Sequence, residues 1–260
     1  MTRTTAPNES SAGVSVILPT YNEGANIGRV LPLIEQHLNH LDRLEIIVVD
    51  DDSPDNTAGI AGKAETEARV RVIVRKDERG LASAVVRGLG EATYQTIVVM
   101  DADLQHPPEK VRELIEAIDA GADLAIGSRF VKGGSTGEFT IFRELMSLVA
   151  NGLAKLLFRS LWGVSDIQSG FFAIRKGILP DTRSLDPIGY KILLELLIKS
   201  DAVHTEEIAY TFREREEGDS QMGLLTVVNY VRHLLRLKVG TVRFALRGII
   251  RTVDSSYRSR

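Results

Sequence analysis

Apolar positions along the chain follow two different spacings. Short runs rich in Val and Ile predict buried strands at Val14–Leu18, Glu45–Val49, Val70–Val74, Thr96–Met100 and Leu124–Ile126. Between these runs, apolar residues recur every three or four positions, which is typical of helices. Helices are predicted after residue 24, where Pro32 should interrupt and kink the helix, and over Gly80–Ala92 and Pro108–Ala120. This alternation predicts an α/β fold with a mostly parallel sheet flanked by helices.

Acidic residues follow two of the predicted strands. The run Asp50–Asp52 comes directly after the second strand, and Asp101 and Asp103 follow the fourth. Because open α/β sheets bind ligands beyond the carboxyl ends of their strands, both groups are expected at one ligand-binding edge. Paired carboxylates there suit a hard divalent cation that also takes oxygens from a substrate diphosphate. An Asp before Pro-Pro-Glu is also a helix start, but two acids with Gln105 beside them favour the cation site.

Composition narrows the functional class. The 260 residues are 43% hydrophobic and 26% charged, with a net charge of −3 and no cysteine. Such a charge gives no general affinity for nucleic acid, and the lack of cysteine excludes disulfides and thiolate chemistry. Residues 1–13 are polar and have no apolar core, so they are expected to be a disordered lead-in and not a signal peptide. With no apolar stretch long enough to span a bilayer, a cytosolic protein is expected, either soluble or peripheral to a membrane.

Three common nucleotide-binding or phosphate-binding folds do not fit the chain. A dinucleotide-binding domain needs a Gly-x-Gly-x-x-Gly turn after its first strand, and the turn here reads Pro19–Glu23 without any glycine. A Walker-type loop needs Gly-Lys-Ser/Thr, which does not occur. A receiver-type domain would end near residue 130 and would leave the second half unexplained. A nucleotide-sugar site, in which acids bind base, ribose and metal, remains.

Nine short motifs support this interpretation, in order between about Val14 and Met222. They are Pro19–Glu23, Val48–Thr57, Gly80–Ala84, Asp101–Pro108, Gly127–Phe130, Arg143 with Ser147, Asp166–Phe171, Gly189–Tyr190 with Glu195, and Arg215–Ser220. With these motifs the chain resembles glycosyltransferase family 2 and, within it, the polyprenyl-phosphate (dolichol-phosphate) mannose synthases. The resemblance implies a GT-A type nucleotide-diphospho-sugar transferase domain over residues 14–222.

The resemblance also implies roles for single residues on the donor side. The implied nucleotide-sugar residues are Pro19, Tyr21, Glu23, Asp50, Asp51, Asp101, Ala102 and Asp103. Asp101, Asp103 and Gln105 would hold Mg²⁺ or Mn²⁺ against the diphosphate. The implied sugar pocket contains Asp166, Ser169, Gly170 and Glu195. For Asp52 and Asp55, turn chemistry alone is an equally good explanation, and His106 receives no role.

On the acceptor side the resemblance implies a phosphate site built from arginines. Its members would be Arg129, Arg143, Ser147, Arg215 and Ser220. Arginine suits phosphate because its planar fork makes bidentate contacts and never loses its charge. Together with Asp103, the three arginines form the expected catalytic set. The chain departs from the usual Gly-Glu-Ser-Lys ending of the last motif, since Gln221 stands where the lysine cation is expected.

The implied reaction moves mannose from GDP-mannose to dolichyl or polyprenyl phosphate. A phosphate monoester can attack the sugar without a general base, so a single inverting displacement and a β-linked product are expected. One alternative is glucosyl or N-acetylglucosaminyl transfer from a UDP-sugar to the same kind of lipid. Another is a non-catalytic subunit that keeps the fold and binds a partner.

Residues 223–260 have a different pattern from the rest. Apolar Leu224, Val228, Val231 and Leu235 form a helical stripe, and Arg243, Arg247 and Arg251 follow at a spacing of four. A basic amphipathic segment is typical of a membrane-surface anchor, although packing on the catalytic core or on a partner subunit explains the first stripe equally well. The expected location is peripheral, at the cytoplasmic face of a membrane, with or without a membrane partner subunit.

Overall fold

The computed structural model describes residues 13–137, 141–187, 192–200, 204–213 and 229–239, with the backbone alone for residues 141–145. Residues 1–12 of the predicted lead-in at residues 1–13, and residues 223–228 and 240–260 of the C-terminal segment, lie outside this part. The predicted boundaries of the catalytic domain and the tail therefore stay predictions.

The described residues form a seven-stranded sheet with the order β3-β2-β1-β4-β6-β5-β7. The strands are β1 Val14–Thr20, β2 Leu44–Asp50, β3 Arg69–Val74, β4 Thr96–Val99, β5 Leu124–Ser128, β6 Phe172–Arg175 and β7 Thr205–Ala209. Strand β1 pairs in parallel with β2 and β4, β2 with β3, and β5 with β7. Strand β6 runs antiparallel to both β4 and β5. The predicted α/β class with a mostly parallel sheet is confirmed.

Helices cover both faces of the sheet. They are α1 Gly24–Leu38, α2 Thr57–Ala61, α3 Leu81–Glu91, α4 Val111–Asp119, α5 Ile141–Leu157 and α6 Ile192–Lys199, followed by helical residues 229–239. Strand residues alternate between two cores, so that Ile17 and Val99 pack on one face while Val16 and Val98 pack on the other. Burial of both faces explains why the central strands are continuously apolar.

Several elements differ from the sequence-based expectation. Helix α1 runs through Pro32 without interruption. Proline has no backbone N–H, so the Gly28 carbonyl loses the hydrogen bond that residue 32 would donate in a regular helix. Pro32 and Gly28 are both exposed, so water can hydrogen-bond to this carbonyl. The buried apolar face of α1 keeps the helix in place. Strands β6 and β7 are absent from the prediction. Strand β7 is half-buried along its whole length and therefore has no apolar run to reveal it.

Candidate active site

The carboxyl ends of β1, β2 and β4 meet at one edge of the sheet and bring the predicted donor-side residues together. Thr20 at the end of β1 is in register with Asp50 at the end of β2, and β4 pairs with the other side of β1. Pro19 is buried within β1, whereas Tyr21 at its exit is 38% exposed. The guanidinium of Arg79 lies 5.1 Å from the centre of the Tyr21 ring, so an aromatic face and a cation flank this edge.

Asp50 is fully buried and holds the loop that follows β2. Its carboxylate accepts hydrogen bonds from Thr20 Oγ1 at 2.9 Å, Ser53 Oγ at 2.6 Å and the Ser53 backbone N–H at 2.9 Å. Asp55 has a similar role, because it accepts from the backbone N–H groups of Gly24 and Thr57. Burial raises the pKa of Asp55, but these hydrogen bonds and that of the Thr57 hydroxyl outweigh burial and lower it. The turn-forming explanation therefore accounts for the contacts of Asp55.

Asp51 is paired with an arginine that the sequence analysis did not single out. Arg75 follows β3, and its Nε donates to Asp51 Oδ1 at 2.8 Å, with Nη2 donating to the same oxygen. The second oxygen of Asp51 accepts from the Gly80 backbone N–H at 2.7 Å. Arg75 also donates to Ser83 Oγ at 2.9 Å, so this buried pair fixes the start of α3. In the sequence, the only indication of Arg75 is an arginine directly after a strand that ends beside an acidic run.

The loop after β4 presents the predicted metal ligands. The side chain of Asp101 is 30% exposed, whereas Asp103 is 2% exposed and accepts from the Gln105 backbone N–H at 3.1 Å. Gln105 Nε2 donates to the Arg213 carbonyl oxygen at 3.1 Å, which ties this loop to the residues after β7. Buried Ala102 lies between the two acids. Glu23, at the start of α1, accepts from Asn26 Nδ2 at 2.8 Å.

These ligands fit Mg²⁺ or Mn²⁺ by their chemistry. Carboxylate and amide oxygens are hard donors, which both ions prefer. Within the described ranges, no group of three or more His, Cys, Asp or Glu side chains is arranged to hold a metal ion. A cation at Asp101 and Asp103 would therefore take its remaining oxygens from a substrate and from water, as Mg²⁺ bound with a diphosphate does.

A buried arginine–carboxylate pair lies beside this loop. Arg129, just after β5, donates from Nε and Nη2 to the two oxygens of Asp166, each at 2.8 Å, and its backbone N–H donates to Oδ2 at 3.2 Å. Burial would lower the pKa of Arg129, but the hydrogen bonds and charge of Asp166 outweigh burial and raise it. Glu207 on β7 fixes the Asp166 loop, since its carboxylate accepts hydrogen bonds from the backbone N–H groups of Ser165 and Asp166 at 2.7 and 3.0 Å.

The predicted sugar-pocket residues separate into two places. Gly170 lies against Asp101, and Ser169 bonds both the N–H and the carbonyl of Phe171, so both lie near the Arg129–Asp166 pair. Glu195 is fully buried elsewhere, where it accepts from the Asp186 backbone N–H at 2.8 Å and from Lys199 Nζ.

Glu195 joins α6 to the helix at residues 229–239. Its Oε2 lies 3.4 Å from Nε2 of buried His233. Burial raises the pKa of Glu195, but the nearby His233 ring and the hydrogen bonds from Lys199 and the Asp186 backbone outweigh burial and lower it. These contacts hold helices together, and the sugar-pocket role of Glu195 stays a prediction.

The remaining acceptor-side residues lie on α5 or outside the described residues. Arg143 belongs to the first turn of α5 and Ser147 follows one turn later, which places both on the same helical face. Asn151 bonds the Ser165 carbonyl and Gln168 at 3.2 and 3.0 Å, so α5 is fastened to the Asp166 loop. Arg215 and Ser220 lie outside the described residues, as do Gly189, Tyr190 and Gln221.

Comparison with known proteins gives consistent results. Residues 15–182 match the family described as glycosyl transferase family 2. Dolichol-phosphate mannosyltransferase of Pyrococcus furiosus is 46% identical over 224 residues, which are 86% of this chain but 63% of that protein's length. Dolichol-phosphate mannosyltransferase of Mycosarcoma maydis is 36% identical over 95% of this chain and 87% of its own length. Polyprenol monophosphomannose synthase of Mycolicibacterium smegmatis is 38% identical over 80% of each chain.

A solved structure supports the predicted fold. Glucosyl-3-phosphoglycerate synthase from Mycobacterium tuberculosis, crystallised with Mn²⁺, uridine diphosphate and glucosyl-3-phosphoglycerate, superimposes with a TM-score of 0.65. The superposition covers 88% of this chain and 79% of that one at 24% identity. The likeness confirms the GT-A type fold.

Proposed function

Because this chain belongs to glycosyl transferase family 2, we propose that it transfers mannose from GDP-mannose to the phosphate of a dolichyl or polyprenyl phosphate. One observation carries the proposal. Similarity to the lipid-phosphate mannosyltransferases continues beyond residue 182, through the part of the chain that supplies α6, β7 and the helix at residues 229–239. Similarity limited to residues 15–182 would support a nucleotide-sugar enzyme of any acceptor class.

The donor site lies at the carboxyl edge of the sheet. Tyr21 and Glu23, which follow β1, would contact the nucleoside. The buried ion pair of Asp51 and Arg75 would support this side of the donor site. Asp101, Asp103 and Gln105 would hold Mg²⁺ or Mn²⁺ at the diphosphate. When bound, this cation would neutralise negative charge that develops on the departing nucleoside diphosphate.

The acceptor needs cations and no general base. A phosphate monoester has a second pKa near ~6, so it arrives mainly as a dianion and is already a nucleophile. Arg129 is one of the predicted acceptor-site arginines, but its buried pairing with Asp166 neutralises its charge. We therefore assign the net positive charge that attracts the acceptor to Arg143 and Arg215, with the hydroxyls of Ser147 and Ser220 as further donors. Attack opposite the leaving diphosphate inverts the anomeric carbon and gives a β-linked product.

A lipid acceptor requires contact with a membrane, and the second half of the chain offers a suitable surface. Helix α5 and the following turn expose Leu148, Val149, Leu153, Leu156 and Trp162. The helix at residues 229–239 lies beside α5, because Tyr230 Oη donates to the Ala150 carbonyl at 2.9 Å. It exposes Val231, Leu235 and Val239. Within the described residues, no helix has the length and apolar character to cross a bilayer.

Charge on this surface supports binding at the cytoplasmic face of a membrane. Residues 146–164 and 229–239 contain five Lys or Arg and no Asp or Glu, in a chain whose net charge is −3. Anionic lipid attracts such a surface, and Trp162 suits the headgroup region. Sedimentation with phosphatidylserine vesicles should carry down the wild type and less of Leu156→Ser. Equal sedimentation of both proteins would contradict this part of the proposal.

A transfer assay tests the reaction. Purified chain is mixed with Mg²⁺ or Mn²⁺, a short-chain polyprenyl phosphate, and GDP-mannose, UDP-glucose or UDP-N-acetylglucosamine in separate reactions. We expect a β-linked mannosyl lipid from GDP-mannose and loss of activity in Asp103→Asn. Transfer from a UDP-sugar alone would overturn the donor, and an α-linked product would overturn the single displacement. Equal activity of Asp103→Asn would exclude the assigned cation site.

A further inference from the structure

A buried histidine without an assigned role lies directly behind Asp101. His106 belongs to the same loop after β4 and is 2% exposed. Its ring stacks on Phe171, with the centres 5.2 Å apart and the planes 13° from parallel. The rings of Tyr210 and Phe212 meet it edge-on, each with its centre at 5.8 Å. Three aromatic residues from the start of β6 and the end of β7 therefore fix the orientation of the imidazole.

The imidazole bonds the backbone of Asp101. Nδ1 of His106 accepts the Asp101 backbone N–H at 3.0 Å. A nitrogen that accepts a hydrogen bond carries no proton, so this hydrogen bond assigns the ring proton of a neutral imidazole to Nε2. The same Nδ1 lies 3.6 Å from Oδ2 of the Asp101 carboxylate. His106 thus determines where the backbone of Asp101 sits and borders one side of its carboxylate.

Gly170 borders the carboxylate as well. A Cβ atom at Gly170 would lie 3.3 Å from Asp101 Oδ2 and 3.3 Å from His106 Cε1, closer than most such contacts. The backbone of Gly170 therefore packs against both residues. The ring and this backbone therefore border the Asp101 carboxylate, which is 30% exposed to solvent.

We propose that His106 is a positioning residue, which holds Asp101 in the conformation that binds a divalent cation together with the donor diphosphate. The inference rests on the proposed function, because Asp101 is a cation ligand only in that proposal. A ligand held in place before binding loses little freedom when the cation arrives. Outer partners of this kind typically contribute about 10–100-fold to metal affinity.

Packing alone does not require histidine at this position. A phenylalanine could stack on Phe171 equally well, and it would avoid burying a polar ring. It would, however, leave the Asp101 N–H without its acceptor and free the loop to move. Asparagine has the opposite properties, since its amide oxygen can reach the place of Nδ1 while most of the ring is lost. The two substitutions therefore separate hydrogen bonding from packing.

The experiment measures Mn²⁺ binding by electron paramagnetic resonance on the full chain, in the presence of GDP. Metal-free GDP binding and thermal melting are measured on the same samples. His106→Phe should weaken Mn²⁺ binding by roughly 10-fold or more and leave metal-free GDP binding unchanged. His106→Asn should recover most of the Mn²⁺ affinity despite a lower melting temperature. His40→Asn, a change at an exposed residue, is the matched control and should bind Mn²⁺ as the wild type does.

Three outcomes would overturn the inference: wild-type Mn²⁺ affinity in His106→Phe, weaker binding in His106→Asn than in His106→Phe, or no Mn²⁺ binding by the wild type. The experiment tests the positioning role of His106 separately from the proposed reaction. If the wild type binds Mn²⁺, His106→Phe does not, and no donor yields a mannosyl lipid, the proposed function fails while the positioning role of His106 stands.

Discussion

Replacement of Asp166 by asparagine should destabilise the protein strongly, because it breaks a buried ion pair while keeping the shape of the side chain. Asp166 is fully buried, and the side chain of Arg129 is 8% exposed. The carboxylate accepts three hydrogen bonds from Arg129, two at 2.8 Å and one at 3.2 Å. In Asp166→Asn one oxygen remains as an acceptor, and the new amide N–H₂ faces a donor of Arg129.

The size of the effect follows from the guanidinium that is left behind. Removing one partner of a buried ion pair costs about 3–5 kcal/mol, since the other charge stays in a poorly solvated place. Because the amide oxygen of asparagine can still accept a hydrogen bond from Arg129, we expect a loss of stability at the lower end of this range, about 3 kcal/mol. For a chain of this size, each kcal/mol lowers the melting temperature by roughly 2–4 °C, so a decrease of about 6–12 °C is expected.

Urea unfolding and thermal melting measure this effect against a matched exposed pair. Arg112 and Glu116 on α4 are also 2.8 Å apart, but both side chains are more than half exposed. Glu116→Gln should cost no more than about 0.5 kcal/mol. In the double variant Arg129→Met/Asp166→Asn, the cost should be well below the sum of the single costs. Strict additivity, or equal costs for Asp166→Asn and Glu116→Gln, would refute the buried-pair reasoning.

Three further substitutions test packing and charge. Gly88→Ala in α3 should cost about 1–3 kcal/mol in urea unfolding, because its Cβ would lie 2.5 Å from Ile17 Cγ2. Gly152→Ala in α5, where nothing lies within 4 Å, should be neutral or stabilise by up to about 1 kcal/mol; equal effects would contradict the packing. Glu195 has a lowered pKa, so its stabilising effect is present above the ordinary glutamate pKa of about 4.3 and lost as the pH falls through the folded value. Glu195→Gln should therefore be less stable at pH 7 but lose less stability between pH 5 and 3, and parallel pH curves would contradict this.

The sequence was sufficient to predict strands whose two faces are both buried. Strands β1, β2, β4 and β5 were predicted because burial on both faces demands an apolar run. Strand β3 lies at the edge of the sheet and is only partly buried, and its Val and Ile residues predicted it. Strand β7 is different, since its residues Thr205–Ala209 include two glutamates and none of them is fully buried. Pairing with β5 fixes this strand, and that pairing joins segments about 80 residues apart, which no local pattern reveals.

For the site, the sequence predicted which acids gather at the sheet edge but not what each one contacts. Asp50, Asp51 and Asp101 all lie at or just after the ends of strands, so their local patterns are alike. Their surroundings are set by groups far along the chain. Arg75 pairs with Asp51, and Glu207, which was not singled out, fixes the loop of Asp166. For the same reason the sequence gives no indication that Glu195 contacts Asp186, Lys199 and His233, and its sugar-pocket role stays a prediction.

Arg75 and Arg129, which pair with acidic residues far from them in the sequence, change the charge that a nucleoside diphosphate would meet at this edge of the sheet. An edge that carries so many carboxylates would repel a diphosphate if all of them kept their charge unopposed. Arg75 offsets Asp51, and Arg129 offsets Asp166, each in a buried pair. Asp101, whose carboxylate is partly exposed, and Asp103 beside it then contribute the negative charge that a divalent cation can neutralise. The two arginines therefore lower the net negative charge of the edge, which would favour the approach of a diphosphate. In the proposed function, Arg143 and Arg215 would then be needed for the acceptor phosphate alone.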